Sequence, residues 1–264
     1  MSLSLSPKRK IAATLRRSTS MSPNKNESRK ILCEKKRCTD WRLCVIAAYS
    51  SPQSLTVFPE IFRVKSLTGL LLEMRQFTDI FTRSKSCSIR NLPASSLPDL
   101  TACLFALCQS KEATKSRAFI HLSGHCGSFT RGRDSKQEQC WLFHNYDTSL
   151  KTEGLLINPQ TLAASLCRFQ IPKYGITLAG CNTLKFGKEL KKQIQKLDKM
   201  SMDISILCSN GLLEDNDATI FMHYVYTALS SMKLDIRSKS GLERAVLFAK
   251  KNVSSKVGSL FEII

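Results

Sequence analysis

Arg117–Gly127 reads RAFIHLSGHCG, and Tyr174–Thr183 reads YGITLAGCNT. Each stretch opens as a short apolar run, AFIHLS in one and ITLA in the other. Each closes in a glycine-containing turn with a reactive side chain, His125 after the first run and Cys181 after the second. Short apolar runs bounded by glycine read as strands buried on both faces of a parallel sheet. In parallel α/β sheets reactive groups gather in the turns past the carboxyl ends of the strands. If the two strands are neighbours, their backbones lie about 4.8 Å apart. The imidazole and the thiol then leave the same rim within reach of one another.

The pattern extends in both directions from these two strands. Upstream, WRLCVIAAYS (Trp41–Ser50) reads as a buried strand. Residues 66–82 carry Leu67, Leu70, Leu71, Met74, Phe77, Ile80 and Phe81 at helical spacing, the mark of an amphipathic helix. SCSIRNL (Ser86–Leu92) follows as a strand and SLPDLTACLFALCQ (Ser96–Gln109) as a helix with Pro98 in its first turn. The polar stretch Ser128–Gln139 reads as an exposed loop, and its Arg131, Arg133 and Lys136 also suit a self-cleavage site. CWLFHNYD (Cys140–Asp147) reads as one strand of a hairpin, and Asn158–Phe169 as a helix capped by Asn158. GKELKKQIQKL (Gly187–Leu197) reads as a basic helix, MDISILCSNG (Met202–Gly211) as a strand, and Asp215–Ser231 and Ser240–Asn252 as helices. SLFEII closes the chain as a strand. Strands alternating with helices imply right-handed crossovers and an α/β fold whose mostly parallel central sheet is covered on both faces.

The 264 residues are 42% hydrophobic and 23% charged, enough for one globular domain. Trp41 is where the apolar pattern begins, so the domain is expected over 41–264. Residues 1–40, rich in Ser, Lys and Arg, read as a basic disordered tail. SPKRK within it also fits a nuclear-localisation patch, and the acid-poor start also fits a transit peptide. No run of about 18 apolar residues is present, so no membrane span is expected, and the first residues lack the apolar core of a secretory signal. The 11 scattered cysteines argue against a disulfide framework and for a reducing, intracellular compartment. The formal net charge of +19 favours an acidic partner or nucleic acid. No stacking motif, zinc finger or helix-turn-helix signature points to specific nucleic-acid readout. No C-x-x-C pair or set of four ligands is apparent, so no metal and no cofactor is expected.

A cysteine acting as a nucleophile needs a base or a depressed pKa to present its thiolate. His125 is placed to be that base, or to protonate a leaving amine. Backbone N–H groups of the two turns, at Cys181 and at Cys126 and Gly127, are placed to hold a developing oxyanion. His121 and His144 read as packed or hydrogen-bonded residues rather than catalytic ones.

HLSGHCG and ITLAGCNT resemble the strand-His-Gly and strand-Ala-Cys blocks of caspase-like cysteine peptidases, and His125 precedes Cys181 in the order of the caspase pair. ILCSNGLLEDNDATIFMHYVYTAL and SGLERAVLFAKK resemble the late strand, acidic loop, helix and closing helix of the CHAT branch, which is related to separases and metacaspases. The resemblance covers roughly Trp41–Asn252. It implies a three-layer caspase-like sandwich and cleavage of protein or peptide substrates through a thioester, with Cys181 as nucleophile and His125 as base. Two positions depart from the family pattern: Cys126 stands where it has Gly, and Gly180 stands where Ala, Ser or Asp precedes the nucleophile. A catalytically inactive interaction module is the alternative that these departures suggest. Glu214, Asp215 and Asp217 are placed to line a pocket for a basic side chain, or Asp215 or Asp217 to cap the following helix.

Overall fold

The computed structural model describes residues 42–50, 54–57, 62–83, 87–109, 116–130, 137–145, 153–169, 171, 173–199, 203–231 and 239–264. The expected tail at 1–40 and the expected cleavage site at 131–136 lie outside them.

The central sheet has six strands in the order β11-β10-β9-β5-β1-β4. They are β1 Arg42–Tyr49, β4 Cys87–Leu92, β5 Ser116–Ser123, β9 Lys173–Ala179, β10 Ser205–Ser209 and β11 Phe261–Ile263. Five run parallel, and β11 closes one edge antiparallel to β10. Residue alternation sends each strand's side chains to two separate cores. Cys44, Ile46 and Ala48 of β1 join one, with Ala118, Ile120 and Leu122 of β5. Val45, Ala47 and Tyr49 join the other, with Phe119. The first core is completed by α2 Leu97–Gln109, α3 Pro159–Cys167 and α4 Thr183–Leu197. The second is completed by α1 Leu70–Thr82, α5 Asp215–Ser231, α6 Lys239–Asn252 and the short α7 Ser255–Ser259. A parallel sheet buried on both faces between two helical layers is the α/β sandwich that the strand-helix alternation implies.

A second sheet has five strands in the order β3-β2-β8-β7-β6, of which the sequence announces only β7, the expected hairpin strand from Cys140. It comprises β2 Leu55–Val57, β3 Phe62–Val64, β6 Cys126–Thr130, β7 Gln137–His144 and β8 Glu153–Ile157. Much of the expected loop Ser128–Gln139 belongs to it, because Ser128 pairs with Gln139 and Phe129 with Glu138. These strand ends are polar, and a solvated strand carries no apolar signature. Trp141 and Phe143 of β7 point into the first core, while Leu142 packs with Leu55, Val57 and Leu156 in a small third cluster. The chain passes from β5 into β6 through Gly124 and His125 alone.

Candidate active site

Strands β5 and β9 are parallel neighbours with Ser123 opposite Ala179, and Gly124 N–H donates to Ala179 O at 3.0 Å. Each strand then runs two residues further, to His125 and to Cys181. The two residues therefore leave adjacent strands at one carboxyl rim. The rim is closely packed. A Cβ on Gly124 would run into Ser50 Oγ, and a Cβ on Gly180 would lie 2.6 Å from Gly124 O and 3.2 Å from the Trp141 ring. Gly180 thus lets the β5 turn lie against the β9 turn with Trp141 beneath, which accounts for glycine before Cys181. Asn182 follows in the left-handed conformation at φ 51°, stands at the N-cap position of α4 without a side-chain cap bond, and donates its N–H to Gly211 O at 2.8 Å.

His125 is half-buried, and its Nε2 meets Lys65 O at 2.8 Å. A carbonyl only accepts, so Nε2 carries the proton and the lone pair of the neutral ring sits on Nδ1. Burial lowers the pKa of His125 from the ordinary imidazole value. The Lys65 carbonyl and the Asp215 carboxylate oppose that shift. The imidazole is therefore neutral near pH 7, as a base must be. Cys181 is half-buried as well. Its thiol donates to Leu213 O at 3.4 Å and accepts from Leu213 N–H at 3.2 Å.

Cys126 is the first residue of β6, opposite Trp141, and its side chain is buried in the first core. Burial, with the Cys140, Cys208 and Cys181 thiols around it, pushes its pKa far up, so it stays a thiol. Its sulfur occupies the core rather than the rim. Gly127 is half-buried beside the Phe129 ring.

Of the three acids, Glu214 is exposed and Asp217 half-buried. Asp215 Oδ2 accepts from Gly69 N–H at 2.5 Å and from Thr68 Oγ1 at 3.4 Å. Gly69 is the N-cap of α1, so the Asp215 carboxylate serves the amino end of another helix. The segment Lys65–Gly69 is consequently held at one end by His125 and at the other by Asp215.

The reading of the sequence missed three features. The Lys65 carbonyl left no trace, because every residue has one. Leu213 engages Cys181 through its main chain, which is equally silent. Glu73 did leave a signal. It lies in helical phase with Leu70, Phe77 and Phe81, on the buried face of α1, and its side chain is fully buried. There it pairs with His121 Nε2 at 3.0 Å and accepts from Ser123 Oγ at 2.7 Å. His121 Nδ1 meets Thr177 Oγ1 at 2.6 Å, and Thr177 meets Tyr226 OH at 2.7 Å. This makes His121 a buried, hydrogen-bonded residue on the face of β5 opposite the first core.

The molecule is a mixed α/β protein with a largely parallel central sheet. No protein-family model and no curated protein matches the chain. Solved structures do. Caspase-1 from Spodoptera frugiperda is 10% identical at a TM-score of 0.47, over 85% of this chain and 86% of that one. Raptor from Chaetomium thermophilum is 14% identical at 0.43, over 78% of this chain and 20% of that one. The Arg-specific cysteine proteinase gingipain R is 10% identical at 0.42, over 84% of this chain and 44% of that one. The chain thus spans about a fifth of the Raptor chain and under half of the gingipain chain. Among the described residues, no helix is long and apolar enough to cross a membrane.

Proposed function

We propose that the chain is a caspase-like cysteine endopeptidase, in which Cys181 attacks a peptide carbonyl and His125 moves the proton. The observation that carries this reading is the parallel register of β5 and β9, with Ser123 beside Ala179. It sets a half-buried imidazole with its lone pair on Nδ1 and a half-buried thiol at one rim. Nδ1 takes the thiol proton as sulfur adds to the carbonyl. The oxygen becomes an oxyanion, which the N–H groups of Cys181 and of Cys126 or Gly127 hold. The C–N bond then breaks, and the imidazolium gives its proton to the departing amine, leaving a thioester. A water that loses its proton to Nδ1 cleaves the thioester and restores the thiol.

Protein or peptide substrates follow from this chemistry. Glu214 and Asp217 are the acids we assign to a pocket for a basic side chain, since Asp215 is bound to α1. Cys126 in place of the family's glycine is compatible with turnover because its side chain is sequestered in the core.

The second reading is a caspase-like interaction module without turnover. The Leu213 contacts favour it, because both hydrogen bonds of the Cys181 sulfur go to that main chain. For a peptidase, the same contacts are ones that substrate displaces.

The test uses the full chain and a library of peptides with basic residues at the cleavage site, together with a peptide acylating probe. The wild type is expected to cleave and to be labelled at Cys181, and Cys181→Ala to do neither. Identical behaviour of the two proteins would refute the peptidase reading and leave the module.

A further inference from the structure

Glu73 belongs to no step of the reaction above, yet it is a fully buried carboxylate. Burying a carboxylate is costly unless its oxygens are engaged. Oε2 accepts from Ser123 Oγ at 2.7 Å, and Oε1 faces His121 Nε2 at 3.0 Å, a close polar approach without hydrogen-bond alignment. Both partners sit on β5, at its last residue and two residues before it, and His125 follows two residues beyond Ser123. Aromatic rings enclose the pair: the Phe77 centroid lies 4.6 Å and the Tyr49 centroid 5.9 Å from that of His121. Burial and the nearby Glu73 charge raise the pKa of Tyr49, so no second anion forms beside the carboxylate.

Glu73 also stands in the first turn of α1, one turn beyond Gly69, and its N–H donates to Gly69 O at 2.9 Å. The segment that runs into that turn supplies the Lys65 carbonyl to His125 Nε2. One carboxylate therefore ties together the two supports of the imidazole: the strand from which it emerges and the helix whose leading segment bonds its ring.

We infer that Glu73 is a positioning residue for His125, acting through Ser123 and His121 on the strand side and through the α1 amino end on the Lys65 side. The inference rests on the role given to His125 in the proposed reaction. A carboxylate chosen for stability alone has no need to sit where these two supports meet, since an apolar side chain of similar volume would fill the core as well or better.

The experiment compares the full-length wild type with Glu73→Gln and Ser123→Ala. The imidazole 1H–13C signal of His125, assigned by its loss in a His125→Gln protein, is followed at fixed pH. The rate of Cys181 alkylation by iodoacetamide and the kcat and KM for a cleaved peptide are measured beside it. In Glu73→Gln the His125 signal is expected to move and kcat to fall about 10- to 100-fold with KM unchanged, as misplacement of a reacting group does. Ser123→Ala, which deletes one hydroxyl, is expected to move the signal the same way and lower kcat about threefold. It decides the matter if Glu73→Gln does not fold. A His125 signal that stays at the wild-type position in the folded variants, whatever their melting temperatures, overturns the inference. If the wild type cleaves no peptide, the peptidase reading fails by itself, and the His125 signal and the alkylation rate still judge Glu73.

Discussion

His125 shows how a residue's chemistry is set by its surroundings. Burial holds its pKa below the ordinary imidazole value of about 6.5, while Asp215 and the Lys65 carbonyl pull it back up. Asp215→Asn removes a negative charge that favours the protonated ring. The titration midpoint of His125, followed by NMR, is therefore expected to move further down. An upward move would contradict the electrostatic assignment. The linkage to stability has a definite sign. The folded state takes this proton at lower pH than the unfolded chain does. The contribution of His125 is thus full above the ordinary imidazole value and is eroded as pH falls from there through the folded value. At this scale the sequence was informative about side chains and silent about main-chain groups. His125 and Cys181 announce themselves by type and position. The carbonyl of Lys65 and the amide of Leu213 cannot, because peptide groups are common to every residue.

At the scale of elements, the junction of β9 with α4 carries the largest constraint. Gly180 faces Gly124 O and the Trp141 ring at distances that leave no space for a methyl group. Gly180→Ala must push β5 and β9 apart at the rim or displace a fully buried tryptophan. A loss of about 1–3 kcal/mol in urea unfolding is expected, with slower labelling of Cys181 in the folded protein. A variant as stable as the wild type would show that the turns are not in contact. The elements themselves were read with uneven success. Asn158 caps α3 as its position suggests, with Oδ1 accepting from Thr161 N–H at 2.9 Å. Helix α4 begins at Thr183, four residues before the basic helix expected from Gly187, because the turn after Cys181 winds straight into it. Of the second sheet, only β7 is legible in the sequence, as the hairpin strand from Cys140. β2, β3 and β8 are only three, three and five residues long, and Ser128–Thr130 and Gln137–Gln139 are polar. Neither length nor periodicity distinguishes such segments from loops.

At the scale of the whole molecule, the chain's last residues lock the sheet. β11 pairs antiparallel with β10, and Phe261 stacks flat on Phe221 of α5 with centroids 3.7 Å apart. Phe261 is fully buried. Phe261→Ala is expected to cost about 3–5 kcal/mol, lowering the urea midpoint while a single cooperative transition is kept. A midpoint unchanged from the wild type would show that β11 is peripheral to the core. The alternation of apolar strands and amphipathic helices was sufficient to determine an α/β sandwich, because a side-chain period of two or of 3.6 states which face of each element is buried. It also pointed to His125 and Cys181 as candidates, since in a parallel sheet reactive groups gather past the carboxyl ends of the strands; both residues do follow the ends of neighbouring strands. Only the tertiary structure decided that β5 lies directly beside β9, that the Asp215 carboxylate bonds the amino end of α1, and that Glu73 reaches Ser123 and His121 of β5. Those are contacts between residues about 50 to 150 positions apart. Local pattern records how much of a side chain is buried but not against which distant partner.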